Sequence, residues 1–189
     1  MKRIVILTGS ELRHVFFFRY LRLSEDIQVI NTYCEGLEKS LRTLVEKTEA
    51  ANKLRSKHLA AREQSEEDFF GTFIEKTPDY SNPIHLSKGD INTPKYTQAI
   101  IDSKPDLLIA YGCSIIREPL LSAFEGRFLN VHLGLSPYYL GSGTNYWPLV
   151  NGEPEYVGAT FMYIDAGIDT GEIIHQIRGK YSWGDTPSQ

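Results

Sequence analysis

The chain opens on a short apolar run, Ile4-Val5-Ile6-Leu7, which ends at once in Thr8-Gly9-Ser10. No feature constrains the fold more. Consecutive apolar residues without alternation leave no polar face, so a strand built from Arg3 to Thr8 must be covered on both sides, as in a parallel sheet. A secretory signal needs roughly 7–15 apolar residues, and here Glu11, Arg13 and His14 follow directly. The next apolar stretch, Val15-Phe16-Phe17-Phe18, is cut by Arg19 and Arg22, far short of a transmembrane span.

A strand with two faces to cover predicts helices in alternation with further strands. Leu12 to Leu23 is apolar enough for a helix packed on a sheet, and Ile27 to Ile30 reads as a second strand. From Glu35 to about Glu67, Lys, Glu, Ala, Arg and Gln dominate without Pro or interior Gly, which predicts a helical insertion. Its thin apolar stripe is Leu37, Leu41, Leu44, Val45 and Leu54. The plain reading is a solvated helix or helical pair; the sharper one is a lid or dimerisation arm, which leaves a homodimer open.

Beyond a loop from Pro78 to Pro83, Ile84 to Leu86 reads as a short strand and Thr93-Pro94 opens a helix toward Ile101. Leu107 to Tyr111 is a buried strand ending at Gly112, followed by a short helix from Glu118 to Ala123. Phe128 to Leu133 is a strand, Thr144 to Val150 a helix, and Tyr156 to Ile164 and Glu172 to Ile177 complete the sheet. This order predicts an α/β fold, a Rossmann-like open, mostly parallel sheet with helices on both faces. A length of 189 residues suits one catalytic domain, 1–189. With 41% apolar and 23% charged residues, neither a disordered nor a membrane-embedded chain fits. A net charge of -4 gives no global pull toward nucleic acid. Cys34 and Cys113, far apart and in no metal spacing, suit reduced thiols in the cytoplasm.

In open α/β sheets ligands bind beyond the carboxyl ends of the strands, so polar residues there are the candidates. Asn130 and His132 lie two apart and point the same way. Gly134-Leu135-Ser136-Pro137 and the Gly141-Ser142-Gly143 turn allow close approach of backbone to a ligand. Asp165-Ala166-Gly167-Ile168-Asp169-Thr170-Gly171 is a loop with two carboxylates between two strands. Taken singly, the histidine suits a structural role and the loop a plain turn. The carboxylates lack the alternating spacing of a calcium loop, and no metal-ligand cluster is present.

Together these pieces resemble a specific family. The stretch NVHLGLSPYYLGSGTNYWPLVNGEPEYVGATFMYIDAGIDTGEII is similar to the tetrahydrofolate-dependent formyltransferases, a group that includes methionyl-tRNA, glycinamide ribonucleotide and nucleotide-sugar N-formyltransferases. The pattern is carried by Asn130, His132, Pro137, Gly141, Gly158, Thr160 and Ile168 to Gly171, with Ile109-Ala110-Tyr111-Gly112 matching the strand before the folate pocket. The family usually has Ser at Gly134 and Pro near Thr144, and the purine enzyme has a second histidine at Met162.

The resemblance implies a catalytic triad of Asn130, His132 and Asp169 that passes formyl from 10-formyltetrahydrofolate, as co-substrate and without metal, to an amine. It implies that the pterin binds along Tyr111, Gly112, Cys113, Ser114, Ile115 and Ile116 and the backbone of Asp165, Ala166 and Gly167. The acceptor is expected to be a nucleotide-linked amino sugar. The acidic balance disfavours tRNA, and Glu11 follows Gly9-Ser10 where the purine enzyme binds a phosphate. Arg13 and His14 could still hold one, although a solvent-facing helix explains them as well. Tyr146 and Trp147 could stack on a ring or pack as helix core. The alternatives are formyl transfer to methionyl-tRNA or another small amine, hydrolysis of formyltetrahydrofolate, and folate or nucleotide binding without turnover. Trp183 to Ser188 reads as a helix start with no helix behind it, which predicts a longer natural protein and an uncovered apolar patch near the C-terminus.

Overall fold

The computed structural model describes residues 1–36, 49–182, 184 and 185. Seven strands form one sheet in the order β3-β2-β1-β4-β5-β6-β7. Strands β1 (Lys2–Thr8), β2 (Ile27–Glu35), β3 (Pro83–Leu86), β4 (Leu107–Tyr111) and β5 (Phe128–Leu133) run parallel. Strands β6 (Gly158–Tyr163) and β7 (Ile173–Arg178) are antiparallel to their neighbours. The expected open, mostly parallel sheet is what forms.

The unbroken apolar run of β1 divides between two cores. Val5 and Leu7 join Leu108, Phe128 and Ile100, the last from helix α4 (Pro94–Asp102), together with Leu120 of α5 (Leu120–Ala123). Ile4 and Ile6 pack with Val29 and Cys34 against Phe18 of helix α1 (Leu12–Arg22). Helices therefore cover both faces, as a strand without a polar side demands.

Tertiary pairing lengthens some elements and shifts others. Strand β2 continues past Ile30 to Glu35 because it lies between β1 and β3, where even Thr32 is fully buried and donates to Ser81 O at 3.0 Å. Glu35 thus ends a strand and does not begin a helix. Helix α2 (Glu49–Glu66) passes through a π-helical turn (Glu67–Gly71) into α3 (Thr72–Lys76), so the helical insertion runs beyond Glu67. The stripe residues Leu37, Leu41, Leu44 and Val45, and the side chain of Leu54, lie outside the described residues. Helix α6 (Trp147–Asn151) starts later than Thr144, and Pro154–Tyr156 is a 3-10 turn before β6. Edge strand β7 is exposed along its whole length, Ile173, Ile174 and Ile177 included. Most of the helix-start segment 183–188 lies outside the described residues.

Candidate active site

The strand order reverses between β1 and β4, since β1 leads to β2 on one side while β4 continues the sheet on the other. Ligand crevices form at such switch points, and a cavity of about 830 Å³ opens here. Phe128, Asn130 and His132 share one face of β5, so the apolar core under Phe128 turns polar two residues later. Asn130 pairs in register with Ala110 of β4, one residue before that strand ends.

Asp169 reaches these residues from the loop between β6 and β7. That loop leaves the sheet beside Phe128, where the Ile164 N–H donates to Phe128 O at 2.9 Å, and then turns back over β5. Asp169 has φ 53°, a left-handed conformation that Asp tolerates better than most residues. Its carboxylate gathers three donors. Asn130 Nδ2 donates to Oδ1 at 2.8 Å, Gly141 N donates to Oδ2 at 2.9 Å, and His132 Nδ1 lies 3.3 Å from Oδ2. The other ring nitrogen of His132, Nε2, is 2.9 Å from Tyr139 O. Both nitrogens of this buried ring face oxygen atoms, Asp169 Oδ2 and Tyr139 O.

The surrounding turns hold this arrangement. Thr160 Oγ1 donates to Gly134 O at 2.7 Å and accepts from Ser136 N, while Gln176 Nε2 donates to Ser136 O at 2.8 Å. Gly134 has φ 133°, and a Cβ there would sit 2.6 Å from the Cβ of Thr144. Glycine at 134 thus leaves room for Thr144. In the β6–β7 loop, Asp165 Oδ1 accepts from Gly167 N and Thr170 Oγ1, both at 2.9 Å.

Of the residues expected at the pterin, Tyr111, Gly112, Cys113, Ser114, Ile115, Ile116, Asp165 and Gly167 line the cavity. Ala166, expected there through its backbone, lies between the two lining residues Asp165 and Gly167 and is exposed. Met162 is buried on the wall, and Tyr146 lines it while Trp147 stays half exposed.

The opposite end of the cavity shows what sequence reasoning missed. Helix α2 supplies His58, Arg62 and Glu66 to the wall, and the His58 ring lies 4.7 Å from that of Tyr146. Arg13 pairs with Glu11 and Glu66, and Arg62 pairs with Glu11 and lies 3.5 Å from Glu66. Helical spacing puts Arg62 and Glu66 one turn apart on one face, but nothing in the sequence showed that this face meets the first turn of α1. His14 does not face solvent. It is buried against Tyr111, with ring centroids 4.7 Å apart, and its Nδ1 accepts from Glu11 N at 3.2 Å. Burial, with Arg13, Arg62 and Lys88 nearby, lowers its pKa from 6.5 to about 3, so it stays neutral.

A model of the formyl transferase family matches residues 2–189. The chain belongs to the formyl transferase family. Among similar family members, the methionyl-tRNA formyltransferase of Desulforamulus reducens is 37% identical over 98 residues, which is 51% of this chain and 30% of that enzyme. That of Ruminiclostridium cellulolyticum is 38% identical over 91 residues, 47% of this chain and 28% of the enzyme. The matched stretch is thus less than a third of either relative's length. The phosphoribosylglycinamide formyltransferase structure from Streptococcus pneumoniae TIGR4 aligns over 99% of this chain and 87% of its own, with a TM-score of 0.59 and 21% identity. Glycinamide ribonucleotide transformylase 1 from Symbiobacterium toebii aligns over 99% and 77%, with a TM-score of 0.62 and 20% identity. Those two structures share the formyl transferase fold with this chain.

Proposed function

We propose that this protein transfers a formyl group from 10-formyltetrahydrofolate to an amine, with Asn130, His132 and Asp169 as its catalytic residues. One observation carries the reading: a single carboxylate, Asp169, holds both the amide of Asn130 and the ring of His132 at the cavity wall. The amine attacks the formyl carbon, and negative charge builds on the formyl oxygen. Asn130 has two N–H bonds and gives one to Asp169, which leaves the other for that oxygen. The Nε2–H of His132 becomes available to it in exchange for Tyr139 O. The excess proton of the amine passes by way of Asp169 and His132 to the departing folate nitrogen, so the step balances without another reactant. The wall from Tyr111 to Ile116, with its bend at Gly112, and the Asp165–Gly167 turn suit a flat ring with an apolar edge.

The acceptor is read as a nucleotide-linked amino sugar. Arg13 is held by two carboxylates, which leaves the first turn poorly suited to a phosphate and weighs against a glycinamide ribonucleotide there. The net charge of -4 weighs against tRNA. Burial pushes both thiols, Cys34 and Cys113, up to about 12, which keeps them unreactive and suits a cytoplasmic enzyme. The test is to incubate the protein with 10-formyltetrahydrofolate and a panel of amino-sugar nucleotides, glycinamide ribonucleotide and methionyl-tRNA, following tetrahydrofolate release. Release only with an amino-sugar nucleotide supports the reading. Release with no amine present means hydrolysis, and no release under any condition overturns enzymatic transfer.

A further inference from the structure

The segment after β4, residues 112–117, puts its first five residues on the cavity wall, yet no backbone-to-backbone hydrogen bond ties it to the rest of the described chain. Two side chains from outside the cavity hold it instead. Glu35, the last residue of β2, is 2% exposed. Its Oε1 accepts from Gly89 N at 2.9 Å and its Oε2 accepts from Ser114 N at 2.6 Å, with Lys88 Nζ 3.7 Å away. Asn92, in the 3-10 turn Asp90–Asn92, donates from Nδ2 to Ile115 O at 3.0 Å and accepts from Arg117 N at 2.9 Å. Neither Glu35 nor Asn92 lines the cavity.

A buried carboxylate is costly unless fully hydrogen-bonded. An apolar residue at this place would join the adjoining core, where Tyr33 and Leu86 already pack. What the carboxylate adds is direction. It accepts from two amides on loops far apart in sequence, and so sets where Ser114 N, and with it the segment, stands relative to β2. We infer that Glu35 and Asn92 are positioning residues that hold segment 112–117 in the shape that receives the flat ring of the folate co-substrate. This rests on the formyltetrahydrofolate reading above. Neither residue touches the formyl group, so their effect falls on folate affinity and not on the chemical step.

The experiment compares wild type, Glu35→Gln, Asn92→Asp and the double variant. Gln offers one acceptor oxygen for two amides and turns its NH2 toward one of them. Asp at position 92 keeps an acceptor for Arg117 N but loses the donor to Ile115 O. The probe is 5-formyltetrahydrofolate, measured by calorimetry, together with KM and kcat for the full reaction. Loss of a charge-assisted hydrogen bond is expected to weaken folate binding about 10–100-fold. Turnover at saturating folate should fall by no more than about threefold. The double variant should fall short of the summed effects, because both residues act on one segment. Amide exchange adds a readout that needs no ligand: Ser114 and Arg117 should exchange faster in the variants, with β1 unchanged. Unchanged folate affinity in both single variants, with wild type binding normally, overturns the inference. So does a loss confined to kcat. Wild type that binds no folate at all overturns the folate reading, and the inference with it.

Discussion

The two ends of the cavity handle charge in opposite ways. At one end a single carboxylate, Asp169, collects three groups from two separate segments, β5 and the Gly141 turn, and pairs with no Lys or Arg among the described residues. At the other, Glu11, Arg13, Arg62 and Glu66 pair among themselves, two positive against two negative. A carboxylate matched to a histidine can move a proton. A self-neutralised quartet shapes a wall and presents little net field to a ligand. Polar residues lining one cavity therefore need not serve one purpose, because what each side chain is already bonded to decides what it has left to offer.

The contrast breaks most clearly at Asp169. Asp169→Asn keeps the shape but removes the carboxylate that the proposed transfer uses as proton acceptor, and turnover should fall about 10²–10⁴-fold with an unchanged circular dichroism spectrum. A variant with near-normal turnover would leave the two ends functionally alike. Next in size is Gly134→Ser, which places a side chain at φ 133° against Thr144. Thermal or urea unfolding should show a loss of about 1–3 kcal/mol.

The quartet end makes a pH prediction through His14. Its pKa is lowered to about 3 in the folded chain, against 6.5 ordinarily, so the unfolded chain takes up the proton first as pH falls. The stability due to neutral His14 is present above pH 6.5 and is lost progressively toward pH 3, at up to about 1.4 kcal/mol per pH unit. Urea unfolding of wild type and His14→Gln between pH 7 and pH 4.5 should show the steeper acid loss in wild type; parallel slopes would refute it. The smallest effect is expected from Glu66→Gln, which releases Arg13 from one partner. Inhibition by inorganic phosphate should strengthen by up to about fivefold, and no change would mean that the quartet does not control anion access.

Much of this was legible along the chain. Ile4 to Leu7 required cover on both faces, and Asn130, His132 and Asp169 stood out as polar residues among strand and loop signals. Glu35 and Asn92 carried no such mark, because a carboxylate at a strand end and an amide in a polar turn are ordinary until the loop they grip is placed beside them.

Local order along the chain was enough to specify the α/β class and the parallel sheet, since burial and strand periodicity are short-range properties written residue by residue. Which helix would wall the cavity, whether Arg13 would be free or paired, and which side chains would hold residues 112–117 depended on contacts between segments tens of residues apart. Such contacts leave no periodic trace in sequence. They exist only once packing has chosen, among many polar side chains, the few that meet.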